Sequence, residues 1–331
     1  MTFVSVFDVL VASISTAVLL HWCGWRLTSQ VRREFADRAA RARLAASSST
    51  PRRADGVRVL THNVWAHYFV AAPLRSVRMR LLVELLRQDT AIDVLSVQEL
   101  FVLSLGPFVF CPELLLLARE LEALGFVHQT DPLLSARSLF QSSGLATFSR
   151  LPIRHASFTP FETTAEFLNN KGYEQIALGD LTIFNTHFDS RLHTQAAQRD
   201  QIAAATRAVA GPVLAVGDWN IDANDAGTFG ALSAALGMTD AFVSEIGLKP
   251  TFRPSKPSNA LLFLQQLSFG LLAKPVWPSS RGAVARKHDN HVIDHTFVRG
   301  LRARSVVLVD VSQDGVPLSD HLGIALTVQP A

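Results

Sequence analysis

Short apolar runs broken by polar punctuation fill most of this chain, and six of the runs share one feature. Val213 to Val216 leads into Gly217-Asp218-Trp219-Asn220. An apolar run that stops abruptly at Gly-Asp reads as a buried strand reaching its carboxyl end. Asp218 and Asn220 are two residues apart, so they point the same way. Val59-Leu60-Thr61-His62-Asn63 ends in an amide, and Ile92 to Gln98 ends at Glu99. Leu181 to Thr186 ends at His187, and His291 to His295 carries Asp294. Leu318-Ser319-Asp320-His321 precedes the last apolar run, Leu322 to Val328. Singly, such residues are ordinary turn formers. Together they predict one polar site assembled from strand ends.

Between these runs the periodicity changes. Arg75 to Gln88 and Pro112 to Leu124 have helical spacing. Thr194 to Ala210 is Ala-rich with no Gly or Pro and reads as a helix, and Thr228 to Leu236 as a short one. The tail, 291–328, is strand-rich. Helices alternating with strands predict an α/β layered architecture. A length of 331 residues fits one large domain with an extension.

The extension is visible in the charges. From Thr2 to Trp25 there is no Lys or Arg, and Asp8 is the only acid. That length reaches across a bilayer, and the other reading is an amphipathic helix packed on the domain or lying on a membrane surface. No basic stretch precedes it, which argues against a cleaved signal peptide. Residues 26–58 then hold nine Arg against three acids. By the positive-inside rule these arginines place the rest of the chain on the cytoplasmic side. Arg26 to Leu44 reads as a basic helix suited to anionic lipid, or as a solvated stalk. Ala45 to Gly56 is the linker candidate. The expected division is therefore 1–25 membrane-associated, 26–56 basic helix and linker, and 57–331 catalytic.

Charge narrows the substrate. Of the chain's 31 basic and 28 acidic residues, 22 and 24 lie from residue 59 onward. A domain with that balance lacks the bulk basic excess of a protein gripping a long duplex. Two cysteines, Cys23 and Cys111, provide neither a disulfide framework nor metal-site spacing.

Phosphodiester hydrolysis needs an activated water, neutralised nonbridging oxygens and help for the leaving oxygen. Mg2+ takes few protein oxygens and keeps several waters, which suits Glu99 and Asn63 as donors. An Asp–His pair fixes an imidazole tautomer and favours its charged form. His62 and His295 each adjoin a site residue directly, so they face the other side of their strands and read as structural.

The order of these motifs resembles the endonuclease/exonuclease/phosphatase superfamily. The motifs are THNVW (61–65), QE (98–99), SGLATFSRLPI (143–153), NTH (185–187), GDWN (217–220), IDH (293–295) and SDH (319–321). The resemblance spans roughly residues 57–328. It implies a DNase I-like fold: two packed β-sheets flanked by helices, a four-layer α/β sandwich, here with an N-terminal hydrophobic helix. It implies Glu99 as the main metal ligand with Asn63 beside it, and Asp320 as a further ligand. Asp218 orients or deprotonates the attacking water, Asn220 holds the phosphate, and His187 donates to a phosphate oxygen. His321 is general base or phosphate stabiliser, oriented by Asp294. Asn185 is a supporting hydrogen bonder. Mg2+ is the implied cofactor, with Mn2+ as an alternative.

Within the superfamily the chain is most similar to neutral sphingomyelinases. Glu166-Phe167-Leu168-Asn169-Asn170-Lys171-Gly172 is similar to their Asp-x4-Lys-Gly segment, with Glu166 in place of Asp. That resemblance makes Lys171 a substrate-binding residue. Two apolar segments, Phe101 to Leu117 and Ala260 to Trp277, read either as bilayer-dipping loops or as buried structure. The expected activity is a Mg2+-dependent phosphodiesterase on a phospholipid or sphingolipid, of phospholipase C type. A nuclease and an inositol-phosphate phosphatase of the same superfamily are the alternatives.

Overall fold

The computed structural model describes residues 6–46, 56–69, 72, 74–253, 291–313 and 316–331, with the side chains of the first helix described over 24–45. Two six-stranded sheets form its centre, with strands numbered along the chain. The first has the order β14 (Leu301–Val309), β17 (Gly323–Pro330), β1 (Val57–Asn63), β2 (Val94–Gln98), β7 (Ala146–Ser149), β5 (His128–Gln129). The second has the order β12 (Thr239–Asp240), β13 (Asp294–Arg299), β11 (Val213–Asp218), β10 (Leu181–His187), β9 (Gly172–Leu178), β8 (His155–Pro160). A small sheet pairs β4 (Phe108–Phe110), β3 (Leu103–Leu105) and β6 (Leu139–Gln141), and β15 (Ser312–Gln313) pairs β16 (Val316–Pro317). The helices are α1 (Val6–Ala46), α2 (Arg75–Gln88), α3 (Pro112–Ala123), α4 (Leu192–Ala208), α5 (Ala226–Leu236) and α6 (Ala241–Ile246).

The two-residue alternation of the strands sorts side chains into layers. In β11, Leu214 and Val216 enter the core between the sheets, while Val213 and Ala215 enter a second core with Ile202 of α4 and Leu232 of α5. In β1, Val57 and Val59 face the intersheet core, and Leu60 faces a third core formed with α2 and α3. Three apolar interfaces therefore separate four layers: helices, sheet, sheet, helices. The expected α/β sandwich is the observed fold.

The predicted basic helix is more than a stalk. Val31 and Phe35 of α1 are buried in the core with α2 and α3. Arg38 donates to the Ala118 carbonyl at 2.8 Å and pairs with Glu122, while Arg119 of α3 pairs with Glu34 at 2.6 Å. The course of α1 is also fixed near its first described side chains, because the Val109 N–H donates to Thr28 Oγ1 at 2.8 Å. Among the described residues no helix is long and apolar enough to cross a membrane. The side chains of the expected membrane segment lie outside the described ones up to Cys23. The Ala260–Trp277 segment and most of the 45–56 linker also lie outside the described residues.

Beneath the strand ends, polar groups cross from one sheet to the other. Gln98 Nε2 donates to Asn185 Oδ1 at 2.7 Å, and the Thr147 hydroxyl donates to Glu174 Oε2 at 3.1 Å. Asn185 Nδ2 also reaches Glu174 Oε2 at 3.3 Å. Burial pushes the Glu174 carboxyl up to about 7, against the pull of hydrogen bonds from Thr130, Thr147 and Asn185. The folded state therefore binds this proton more tightly than the unfolded chain. Stability falls as pH rises between ~4.5 and ~7, by roughly 3 kcal/mol in total. Glu174→Gln has no such slope, so its stability relative to the native protein increases over that window. Urea unfolding of both proteins across that pH range checks this, and parallel profiles would refute it.

Candidate active site

The register brings the predicted residues into two adjoining rows. β1 and β2 are parallel, with Asn63 opposite Gln98, so Asn63 and Glu99 leave the first sheet together. In the second sheet His187 lies opposite Asp218, and Asp218 opposite Asp294. Strand pairing alone sets Asn63 at the edge of one sheet and His187, Asp218 and Asp294 side by side at the edge of the other, while Glu99, Asn220, Lys171 and His321 lie just outside the strands.

Backbone strain holds two of these groups. Glu99 has φ 60 and Asn220 has φ 49, in the left-handed region that non-glycine residues avoid. Gly144 makes the first possible: it lies under Glu99, where an added Cβ would come within 3.0 Å of the Glu99 Cα. Gly217 has φ 140, and a Cβ there would collide with the Thr186 carbonyl oxygen. That close approach lets β11 deliver Asp218 beside His187. Strain maintained against such alternatives is typical of functional sites.

The side chains converge. Asn63 Nδ2 donates to Asp218 Oδ2 at 2.9 Å and Glu99 Oε1 at 3.1 Å, and lies 3.4 Å from His321 Nε2. Its Oδ1 accepts from the Trp65 N–H at 3.0 Å, so the amide turns its nitrogen to the carboxylates. His187 Nε2 lies 3.4 Å from Asp218 Oδ2 and 3.9 Å from Glu99 Oε1. His321 Nδ1 is 2.9 Å from Asp294 Oδ2, and its Nε2 is 3.7 Å from Asp218 Oδ2. Asn220 is tied to the same turn: its N–H donates to Asp218 Oδ1 at 3.0 Å and its Nδ2 to the Phe188 carbonyl at 3.0 Å. Lys171, almost wholly buried, places Nζ 2.7 Å from His187 Nε2 and 3.5 Å from Glu166 Oε2. An ammonium only donates, so His187 Nε2 accepts here and its ring proton is on Nδ1.

Crowding of like charge in a buried space shifts these groups. Burial raises Glu99 and pushes Asp218 up to about 6, with the His321 ring opposing the latter. Burial also pushes Asp320 up to about 6. Burial disfavours the charged His321 ring, but the carboxylates of Asp294 and Asp218 outweigh it and raise it well above the usual histidine range. Burial and the Lys171 cation hold His187 well below that range.

Ligand atoms of Glu99, His187 and Asp218 lie within 4.8 Å of one another, as do those of Asp218, Asp294 and His321. Carboxylate oxygens at that spacing fit a hard divalent ion. Asp320 lies outside both groups. Its Oδ1 accepts from the Ser319 hydroxyl at 3.2 Å, and the Glu99 charge is felt at its carboxyl.

Supporting residues escaped the sequence reading. Arg78 of α2 is fully buried and donates to the carbonyls of Val64 at 2.8 Å, Trp65 at 2.6 Å and Leu318 at 3.2 Å. It ties the loop after Asn63 to the loop before Asp320. One signal was available: Arg78 shares a helix face with the buried Leu81 and Leu82. Thr251 Oγ1 accepts from the N–H of Ile293 and of Asp294, each at 3.1 Å. His295, read as structural, bonds Asp240 Oδ2 and the Ile221 carbonyl, each at 2.7 Å, next to Asn220.

A sequence profile of the endonuclease/exonuclease/phosphatase family matches residues 60–321. The chain belongs to that family. Its members are metal-dependent phosphoric diester hydrolases, and so the protein is an enzyme of this class. No curated protein matches the chain in sequence. Solved structures share the fold. Sphingomyelinase C from Streptomyces griseocarneus is 16% identical with a TM-score of 0.55, covering 84% of this chain and 99% of its own. A beta toxin variant from Staphylococcus aureus with bound magnesium ions is 17% identical at a TM-score of 0.53, covering 82% and 99%. Danio rerio TDP2 complexed with single-strand DNA product is 18% identical at 0.54, covering 82% and 98%. The fold is thus shared with a sphingomyelinase and with a protein solved with a DNA product.

Proposed function

We propose that this enzyme is a Mg2+-dependent phosphodiesterase acting on a membrane lipid, a sphingomyelinase-like phospholipase C that releases phosphocholine. The observation that carries the reading is the meeting of Glu99, Asp218, His187 and His321 around one buried space, with Lys171 beside it. In this reading Glu99 is the principal metal ligand, and Asn63, through Oδ1 after an amide rotation, and Asp320 complete the set. The cation supplies Lewis acidity and neutralises developing charge on the phosphate. Asp218 orients and deprotonates the attacking water. The His321 ring, kept charged by Asp294, donates from Nε2 toward the phosphoryl or leaving oxygen. Lys171 and Asn220 bind the phosphate, and His187 joins them as a donor once Lys171 releases its Nε2 and the ring proton moves from Nδ1 to Nε2.

The lipid preference rests on charge and apolarity. Residues 59–331 hold 22 basic against 24 acidic residues, which disfavours a nucleic-acid duplex. An inositol-phosphate phosphatase needs several cations around its phosphates, and among the described residues the contacts of this site include one lysine, Lys171. The stretch from Thr2 to Trp25 without Lys or Arg supports association of residues 1–25 with a membrane. Residues 57–331 then form the catalytic unit, facing the cytoplasm. The purified full chain should hydrolyse sphingomyelin vesicles and bis-p-nitrophenyl phosphate with Mg2+ and neither with EDTA. Faster degradation of plasmid DNA than of lipid would defeat the lipid reading.

A further inference from the structure

Outside the site, exposed large apolar side chains gather at one place. Phe69, Leu105, Phe110, Leu139 and Phe167 are each between 47% and 70% exposed. They come from separate segments of the chain. Register pairs Leu105 with Leu139 across β3 and β6, and with Phe108 across β3 and β4. Cross-strand partners share a face, so Leu103, Leu105, Phe108, Phe110 and Leu139 form one apolar sheet face. Beside it the Phe140 ring contacts Phe69 at 6.3 Å and Phe167 at 5.9 Å. The two groups join through Tyr68, whose ring lies 5.8 Å from Phe110. Isolated exposed hydrophobes are ordinary, but a contiguous group from separate segments marks a binding surface.

The group also adjoins the active site. Gln141, at the end of β6, reaches Asn169 Oδ1 at 2.5 Å, and Asn169 donates to Glu166 Oε2 at 2.9 Å. Glu166 in turn faces Lys171. Exposed Phe167 therefore stands next to Glu166, the carboxylate that faces Lys171.

We propose that this surface is the face the enzyme lays on a lipid bilayer, a proposal that rests on the lipid reading above. The first described part of α1 selects the occupant. Gly24 packs against the Phe108 ring so closely that a Cβ would clash with it, and exposed Trp25 stands next to it. The stretch lacking Lys and Arg therefore joins the domain at this sheet face. A bilayer satisfies both features at once, and it brings lipid headgroups to the side of the domain that carries Glu166 and Lys171. Exposed Arg137, two residues before Leu139, suits the headgroup level around an inserted apolar face.

The test uses the full chain with Cys23→Ser, since Cys111 is buried and its thiol is pushed up to about 12. An environment-sensitive fluorophore is attached at Phe110→Cys, at Phe167→Cys, or at Ala210→Cys. Ala210 is exposed and precedes β11, at the end remote from the site. Sphingomyelin–phosphatidylcholine vesicles are added in EDTA. Blue-shifted emission at positions 110 and 167, and none at 210, is expected. Absence of a shift at 110 and 167 overturns the proposal, whether or not the protein floats with vesicles, and leaves the surface to a protein partner. As a second measurement, Leu105→Ser with Phe110→Ser should reduce vesicle-lipid hydrolysis about ten-fold while bis-p-nitrophenyl phosphate hydrolysis stays unchanged. Insertion of the probes without any lipid hydrolysis would sink the substrate reading and leave the docking face standing.

Discussion

Replacing His321 by alanine lowers kcat on bis-p-nitrophenyl phosphate by about 10³-fold, with KM nearly unchanged. The ring is buried, and its two nitrogens have separate duties. Nδ1 is engaged by Asp294 at 2.9 Å, which leaves Nε2 facing the space between Asp218 and Asn63. A group aimed at the reacting atoms acts in the transition state more than in substrate binding. Asp294→Asn keeps the shape but removes the charge, so a loss of about 10²-fold is expected, since the carboxylate acts through His321. The pH profile separates the roles. Burial lowers the proton affinity of His321, and Asp294 is the largest of the charges that raise it. Removing that charge lets the ring lose its proton at lower pH. The alkaline limb of kcat therefore moves to lower pH in Asp294→Asn. A limb that stays in place would mean that the His321 proton is not used.

Glu99→Gln produces the second large effect. The Mg2+ concentration for half-maximal activity rises by at least about 10²-fold, and saturated kcat falls as well. The physical basis is preorganisation. The left-handed Glu99 backbone rests on Gly144, whose carbonyl accepts from the Leu100 N–H at 2.8 Å. Its carboxylate is steadied by Asn63 and raised by burial, with Asp218 adding to the repulsion. Buried carboxylates held together at this cost are relieved by a cation and by little else. Gln retains the hydrogen bond geometry and most of the volume, so thermal stability of the metal-free protein should hold or increase. An activity loss accompanied by unfolding would point instead to a structural role.

Strand ends are the legible part of this molecule. An apolar run terminated by Asn63, Glu99, His187 or Asp218 fixes which side chain reaches the edge of a sheet, because alternation and length are local properties. That helices layer on sheets is likewise readable from their order, while the two-sheet, four-layer arrangement is implied by the family resemblance. Partners distant in sequence are not legible. β1 pairs with β17, and nothing within either strand encodes that choice. Arg78, Thr251 and the His295–Asp240 pair act by bonding to backbone or to one buried partner, and those bonds exist only once the sheets have packed. The orientation of Asn63 depends on the Trp65 N–H in the same way.

The apolar stretch from Phe101 to Leu117 shows both halves of the problem. Its composition fits a bilayer-dipping loop and buried structure equally, and the folded segment divides between core and surface. Phe101 and Val102 are buried, with the Phe101 ring against Gly144, while Leu105 and Phe110 are exposed at the ends of two short strands. Composition alone cannot assign those sides. The register of β3 with β4 and β6 does.

Binding of Mn2+ to the full chain, monitored by electron paramagnetic resonance, is the most direct check. The account predicts a bound ion in the native protein, displaced by Mg2+, and weakened at least about 10²-fold in Glu99→Gln. Equal Mn2+ affinity in the two proteins would contradict it, because the convergent carboxylates would then not be holding the ion on which hydrolysis depends.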